Sequence, residues 1–192
     1  MKKVLIIWPE NDAGKLLTFI PLLKKKIFFD DIILCSNLNN YKVAFVNEQL
    51  NLESIYEIEA DYSCYFKKFI NLIQKRYSNE NVVVVFLSML ETGFKPVCTD
   101  DKIIEFINMV EKEGCDLVYE NKPKEKRRDR FLTCLIHKIF DFFKIENHEH
   151  SSLQAVKLRK LLNLDPANFG KHFKNDLIKK AKKAELFVFS SD

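Results

Sequence analysis

Three short groups of residues in this chain carry side chains that could do chemistry. The first is Ser88-Met89-Leu90-Glu91, which closes the apolar run Val82 to Leu87 and offers a hydroxyl and a carboxylate. The second is Lys126-Arg127-Arg128-Asp129-Arg130. Planar guanidinium groups suit bidentate contacts with phosphate, and the same run reads equally as a solvated charged loop ahead of a helix. The third is His148-Glu149-His150. On a strand its two imidazoles share one face, with no further ligand near in sequence, whereas structural zinc usually takes four.

The elements that must position these groups follow from the apolar pattern. Val82-Val83-Val84-Val85-Phe86-Leu87, opened by the polar Ser78 to Asn81, predicts a central parallel strand buried on both faces. In open α/β sheets ligands bind beyond the carboxyl ends of such strands, which makes Ser88 to Thr92 the first place to look. Strands are also expected at Val4 to Ile7, Asp31 to Cys35, Ser54 to Ile58, Asp116 to Tyr119 and Glu185 to Phe189. Helices are expected at Lys15 to Lys26, interrupted by Pro21, at Tyr62 to Tyr77, and at Asp100 to Glu113 with Thr99 as N-cap and Gly114 as stop. Two more are expected, from the basic run through about Phe143 and from about Phe169 to Ala184. The alternation predicts an α/β fold: a doubly wound, mainly parallel sheet flanked by helices, in a single domain over residues 1–192.

Composition narrows the function. At 192 residues such a domain buries roughly 70% of its unfolded surface and needs no disulfides. The five cysteines are scattered without a CxxC pair, which favours reduced thiols in a cytoplasmic protein. A net charge of +4, with acids interspersed among the bases, gives no footprint for nucleic acid. The apolar start Val4 to Ile7 meets Trp8-Pro9-Glu10 instead of a small-residue cleavage site, so it reads as a strand and not a leader. No apolar segment approaches the ~20 residues of a membrane span.

In order, these segments resemble glycosyltransferase family 2, with its GT-A fold, and within it the dolichyl- or polyprenyl-phosphate sugar transferases. Ile7-Trp8-Pro9-Glu10-Asn11-Asp12 stands where the family has Ile-Pro-x-x-Asn-Glu, and Ile32 to Asn37 where it has Val-Val-Asp-Asp-Gly-Ser. Val85-Phe86-Leu87-Ser88-Met89-Leu90 stands for Val-Phe-Leu-Asp-Ala-Asp, and Gly114 to Tyr119 for Gly-x-Asp-Val-Val. His150 to Leu162 resembles the family's Gly-Phe-Arg segment, and Asn168 to Phe187 the helix and strand after it.

The resemblance implies a nucleotide-sugar site built from Pro9, Glu10, Asp12, Cys35, Ser36, Ser88, Leu90 and Glu91, with Arg127, Arg128 and Arg130 facing phosphate. It places Asp176 near the position of a family Glu, as a candidate for the general base or an ordinary surface acid. The departures fall on the chemistry. Cys35 and Ser36 replace the first acids, and Ser88 and Leu90 replace both acids that would bind Mg²⁺ or Mn²⁺ across a diphosphate. A hard cation needs oxygen ligands, so no cofactor is expected unless Glu91, one position out of register, compensates.

Three functions therefore stay open, and whether the chain is an enzyme stays open with them. It is a nucleotide- or sugar-binding or accessory domain without metal-dependent transfer, or a metal-independent glycosyltransferase using the basic run, or a structural interaction protein. The last would use the Phe-rich helix from Phe131 to Phe143 against a protein partner or in a homodimer. The same stripe beside the basic run also suits peripheral contact with a membrane.

Overall fold

The computed structural model describes residues 1–8, 16–37, 41–57, 62–77, 80–88, 100–120, 153–165, 169 and 173–191. Its centre is a seven-stranded sheet of β1 (Lys2–Trp8), β2 (Asp31–Asn37), β3 (Glu53–Glu57), β4 (Val82–Ser88), β5 (Leu117–Glu120), β6 (Leu153–Lys157) and β7 (Val188–Ser191), in the order β3-β2-β1-β4-β6-β5-β7. All neighbours are parallel except β6, which runs against both β4 and β5. The expected mainly parallel sheet is present, with this one reversal.

The run of valines forms the expected central strand. Val82 to Leu87 are each at most 2% exposed, and they alternate between two cores. Val83, Val85 and Leu87 join α1 (Leu16–Lys26), α2 (Tyr41–Leu50) and α4 (Asp100–Glu111) on one side. Val82, Val84 and Phe86 join α3 (Tyr62–Tyr77), α5 (Leu158–Asn163) and α6 (Phe173–Lys183) on the other. Helices α1, α3 and α4 bring the stripes their sequences predict: Leu16, Ile20 and Leu23 from α1, Phe69, Ile70 and Ile73 from α3, and Ile103, Phe106, Ile107 and Val110 from α4. Pro21 is accommodated within α1, and Gly114 follows α4 with the positive φ of +80° that favours glycine. The helices α2 and α5 and the strand β6 have no counterpart among the expected elements, and the final strand begins three residues later than expected.

The edge of the sheet where the parallel strands begin is held by charge. Asp31 accepts hydrogen bonds from Tyr77 Oη (2.7 Å) and Arg76 Nη1 (3.0 Å), and Asp30 accepts one from the Lys3 amide (2.8 Å). Asp116, just ahead of β5, is only 9% exposed. Its carboxylate accepts from Lys157 Nζ (3.1 Å) and the Phe187 amide (3.2 Å), and lies 3.4 Å from Lys160 Nζ. Burial works to raise this carboxyl, but the Lys157 hydrogen bond, the Phe187 amide and the two ammonium charges outweigh it and hold it below the ordinary carboxylate range. The family-like Gly-x-Asp is thus a clasp joining β5, β6, α5 and the approach to β7.

A carboxylate held low in the folded state contributes stability above its unfolded pKa of about 4, and loses it as pH falls through the folded value. Asp116→Asn is therefore expected to unfold at lower urea than wild type at pH 7, with the deficit shrinking toward pH 3. A deficit of constant size across that range, measured by urea titration, would mean that Asp116 acts by shape alone.

Candidate functional site

The order of the strands singles out one place. The chain builds β1, β2 and β3 outward in one direction, then α3 carries it across to β4 on the other side of β1. Strand order thus reverses between β1 and β4, and it is in the crevice beyond the carboxyl ends of strands at such a switch that open α/β sheets hold their ligands. There the backbone of Trp8 pairs with that of Ser88, and Leu87 pairs with Leu153 at the start of β6. One strand further out, Ser36 and Asn37 pair with Tyr56 and Glu57 at the end of β3. The backbone register therefore brings two expected site residues, Ser36 and Ser88, to one edge.

Cys35 stands one residue short of that edge. It is 2% exposed and sits in the second core with Ile33 and Phe69. Burial pushes its thiol far above the usual range, so it presents neither a thiolate nor a polar contact to the crevice. Cys115 is likewise buried, and burial followed by the charge of Glu113 raises its thiol. Asp176 lies in the first turn of α6, partly buried, at the end of the helix away from β7. Pro9, Glu10, Asp12, Leu90, Glu91, Arg127, Arg128 and Arg130 lie outside the described residues, as do Thr99, the stripe from Phe131 to Phe143 and the histidines at 148 and 150.

Charged side chains that the sequence reading does not single out also stand at the carboxyl ends. Glu120, the last residue of β5, pairs with Lys102 in the first turn of α4 at 3.2 Å, and both are well covered. On the opposite face of β5 Lys182, in the last turn of α6, donates to Tyr119 Oη at 3.2 Å, with its ammonium 5.5 Å from the centre of that ring. Lys102 is a cation at the positive end of a helix, against the usual preference, and that misfit is the signal of a local anionic partner.

Among the described residues no group of three or more His, Cys, Asp or Glu side chains is placed to hold a metal ion, and no helix is long and apolar enough to cross a membrane. Two open depressions lie away from the crevice. One of about 470 Å³ runs along α4 beside Glu105 and Asn108, and one of about 540 Å³ lies where β1 begins, beside Lys2, Phe28 and Glu80. Neither collects converging polar groups in an enclosed apolar cleft, as small-molecule sites do.

No family model matches the chain, and no curated protein resembles it significantly in sequence. Solved structures do resemble it in fold. Glucosyl-3-phosphoglycerate synthase from Mycobacterium tuberculosis, in complex with Mn²⁺, UDP and glucosyl-3-phosphoglycerate, superposes with a TM-score of 0.60 at 10% identity, over 98% of this chain and 68% of that one. Mannosyl-3-phosphoglycerate synthase from Rubrobacter xylanophilus gives 0.58 at 14% identity, over 99% of this chain and 65% of that one. A cytidylyltransferase from Leptospira borgpetersenii serovar Hardjo-bovis gives 0.58 at 10% identity, over 99% of this chain and 74% of that one. The chain has the GT-A-like fold that these structures share, and it spans about two thirds to three quarters of their lengths.

Proposed function

We propose that this chain binds a nucleotide sugar in the crevice between β1 and β4, as an accessory or binding protein without metal-dependent transfer. The observation that carries the reading is the position of Ser88, at the end of the central strand and opposite Trp8 at the switch in strand order. That is where ligands of open α/β sheets sit. Support for the ligand class comes from glucosyl-3-phosphoglycerate synthase, whose structures hold UDP.

The residues at hand do not fit a divalent ion. Ser88 offers a neutral hydroxyl and Leu90 no donor at all. Forgoing roughly 4 kcal/mol of leaving-group stabilisation slows a transfer about a thousandfold. In this reading Ser36 lies beside the base, Cys35 only backs the wall, and Pro9, Glu10 and Asp12 close the side after β1. Arg127, Arg128 and Arg130 meet the diphosphate. A live metal-independent transferase is the second reading, favoured by that basic run. The guanidinium groups would then take up the charge of the departing nucleotide diphosphate while Asp176 removes a proton from the acceptor hydroxyl. The reduced, buried thiols and the nucleotide ligand suit a cytoplasmic setting.

A thermal-shift panel of UDP, GDP, CDP and their sugar conjugates, with and without Mn²⁺, tests this. A ligand at about 100 times its dissociation constant adds roughly 2.7 kcal/mol, which moves the melting point by several degrees. The expected result is a shift indifferent to Mn²⁺ and lost in Arg127→Ala. No response to any nucleotide would remove donor binding from consideration.

A further inference from the structure

We propose that copies of this chain associate head to tail, the basic face of α6 on one copy docking along the acidic face of α4 on the next. The whole chain carries a net charge of +4, yet residues 153–191 hold nine lysines and arginines against three acids, so the rest carries −2. Within that stretch Lys179, Lys182 and Lys183 are exposed on α6. Lys180 is turned inward, 4.5 Å over the ring of Phe169 and against the carbonyl of Leu164, so the outward charge of the helix is that of the other three. A charged face alone is ordinarily solvated. Here it has a counterpart on the other side of the same molecule.

Helix α4 turns Ile103, Phe106 and Val110 into the first core and leaves Asp101, Glu105 and Glu113 exposed around the open depression of about 470 Å³. Lys112 is an exposed cation at the end of this helix, and Lys26 of α1 lies 2.9 Å from Asp101, whose side chain nonetheless stays 79% exposed. The two faces match in spacing as well as in sign. Asp101 and Glu105 on α4, like Lys179 and Lys183 on α6, stand four residues apart, one helical turn of about 6 Å. The methylene stems of lysine suit the apolar side chain of Ile104 between the acids. Lipid is the poorer occupant, because no large hydrophobe is among the exposed described side chains of α5 and α6. Since α4 and α6 cover opposite faces of the sheet, each copy gives α6 to one neighbour and α4 to another. Such a heterologous contact extends beyond the dimer. The association is independent of nucleotide binding.

The experiment is sedimentation velocity of the full chain as a function of concentration and salt. Wild type is expected to form species larger than a dimer, with a dissociation constant that rises at least about tenfold between about 0.05 and 0.5 M salt. Lys179→Glu/Lys182→Glu/Lys183→Glu and Glu105→Lys/Glu113→Lys should each be monomeric alone and associate when mixed, because an acidic α6 then meets a basic α4. Lys24→Glu/Lys25→Glu/Lys75→Glu changes the net charge as much as the α6 variant does, at exposed positions elsewhere, and should associate like wild type. Dissociation by that variant too would assign the effect to net charge and overturn the proposal. So would a folded pair that stays monomeric when mixed, or a wild type that is monomeric throughout; retention of that monomer by anionic vesicles or by RNA would assign the α6 face to that partner. If the α6 variant does not fold, since Lys182 holds Tyr119, Glu105→Lys/Glu113→Lys reads the contact from the other side, and its self-association at wild-type strength overturns the proposal.

Discussion

Ser88→Asp/Leu90→Asp is expected to convert a metal-indifferent nucleotide response into a Mn²⁺-dependent one. Two carboxylates spaced by one residue at the end of β4 would supply oxygen ligands where wild type has a hydroxyl and a branched alkyl group. Diphosphate oxygens would complete the coordination. The backbone of Ser88 already stands at the switch between β1 and β4, so no new fold is required. A site of this kind should bind UDP at least about a hundredfold more tightly with Mn²⁺ than without, a difference of about 2.7 kcal/mol. Wild type should show less than about a threefold difference, under about 0.7 kcal/mol. Calorimetric titration of both proteins decides the matter. A variant that binds UDP equally well with and without the metal would place the diphosphate away from the end of β4.

The largest loss of stability is expected from Phe86→Ala. Phe86 is fully buried in the central strand, and its ring meets that of Phe69 edge-on at 5.7 Å and 79°. Truncation removes the contacts of a strand on β4 and a helix on α3 together, and the sheet on either side holds the backbone in place, so little collapse fills the space. Such changes cost about 3 to 5 kcal/mol, against a total of about 5 to 15 for a domain. Leu22→Ala, at a position 55% exposed on α1, should stay within about 0.5 kcal/mol. Urea midpoints for the pair test the assignment of the core. A Phe86→Ala loss below about 1 kcal/mol would contradict the burial described for β4.

What the sequence makes legible is the part written in local pattern. The valine run of β4, the stripe of α3 and the acidic start and glycine stop of α4 each carry their signal within one element, and each forms where expected. The helix α2 escapes because its apolar residues serve it poorly: Val46 is buried while its neighbour Phe45 is 52% exposed, so no stripe marks it. The reversal of β6 is invisible for a different reason. Leu153-Gln154-Ala155-Val156-Lys157 reads the same whichever way the strand runs, and direction is decided by its partners β4 and β5.

The candidate site divides in the same way. The ends of apolar runs locate Ser36 and Ser88, since strands stop where the apolar pattern stops. The pair of Lys102 with Glu120 and the clasp around Asp116 join residues 18 and 41 positions apart, and only the folded sheet brings them together. Cys35 misleads for a geometric reason. Both faces of the sheet are covered by a core, so a strand position one residue short of the edge is buried whichever face it takes.

The reversed strand also sets a schedule for synthesis. Once Ser88 has been added to the growing chain, the strands β3, β2, β1 and β4 are all complete. β6 begins at Leu153, about 65 residues later, and at about 5 to 20 residues per second that interval lasts from about 3 to 13 seconds. Throughout it the outer edge of β4 waits for its native partner, although Val82 to Leu87 is the most apolar run of the chain. Unpaired apolar edges invite pairing with other chains, so the nascent protein exposes an aggregation-prone edge throughout that interval.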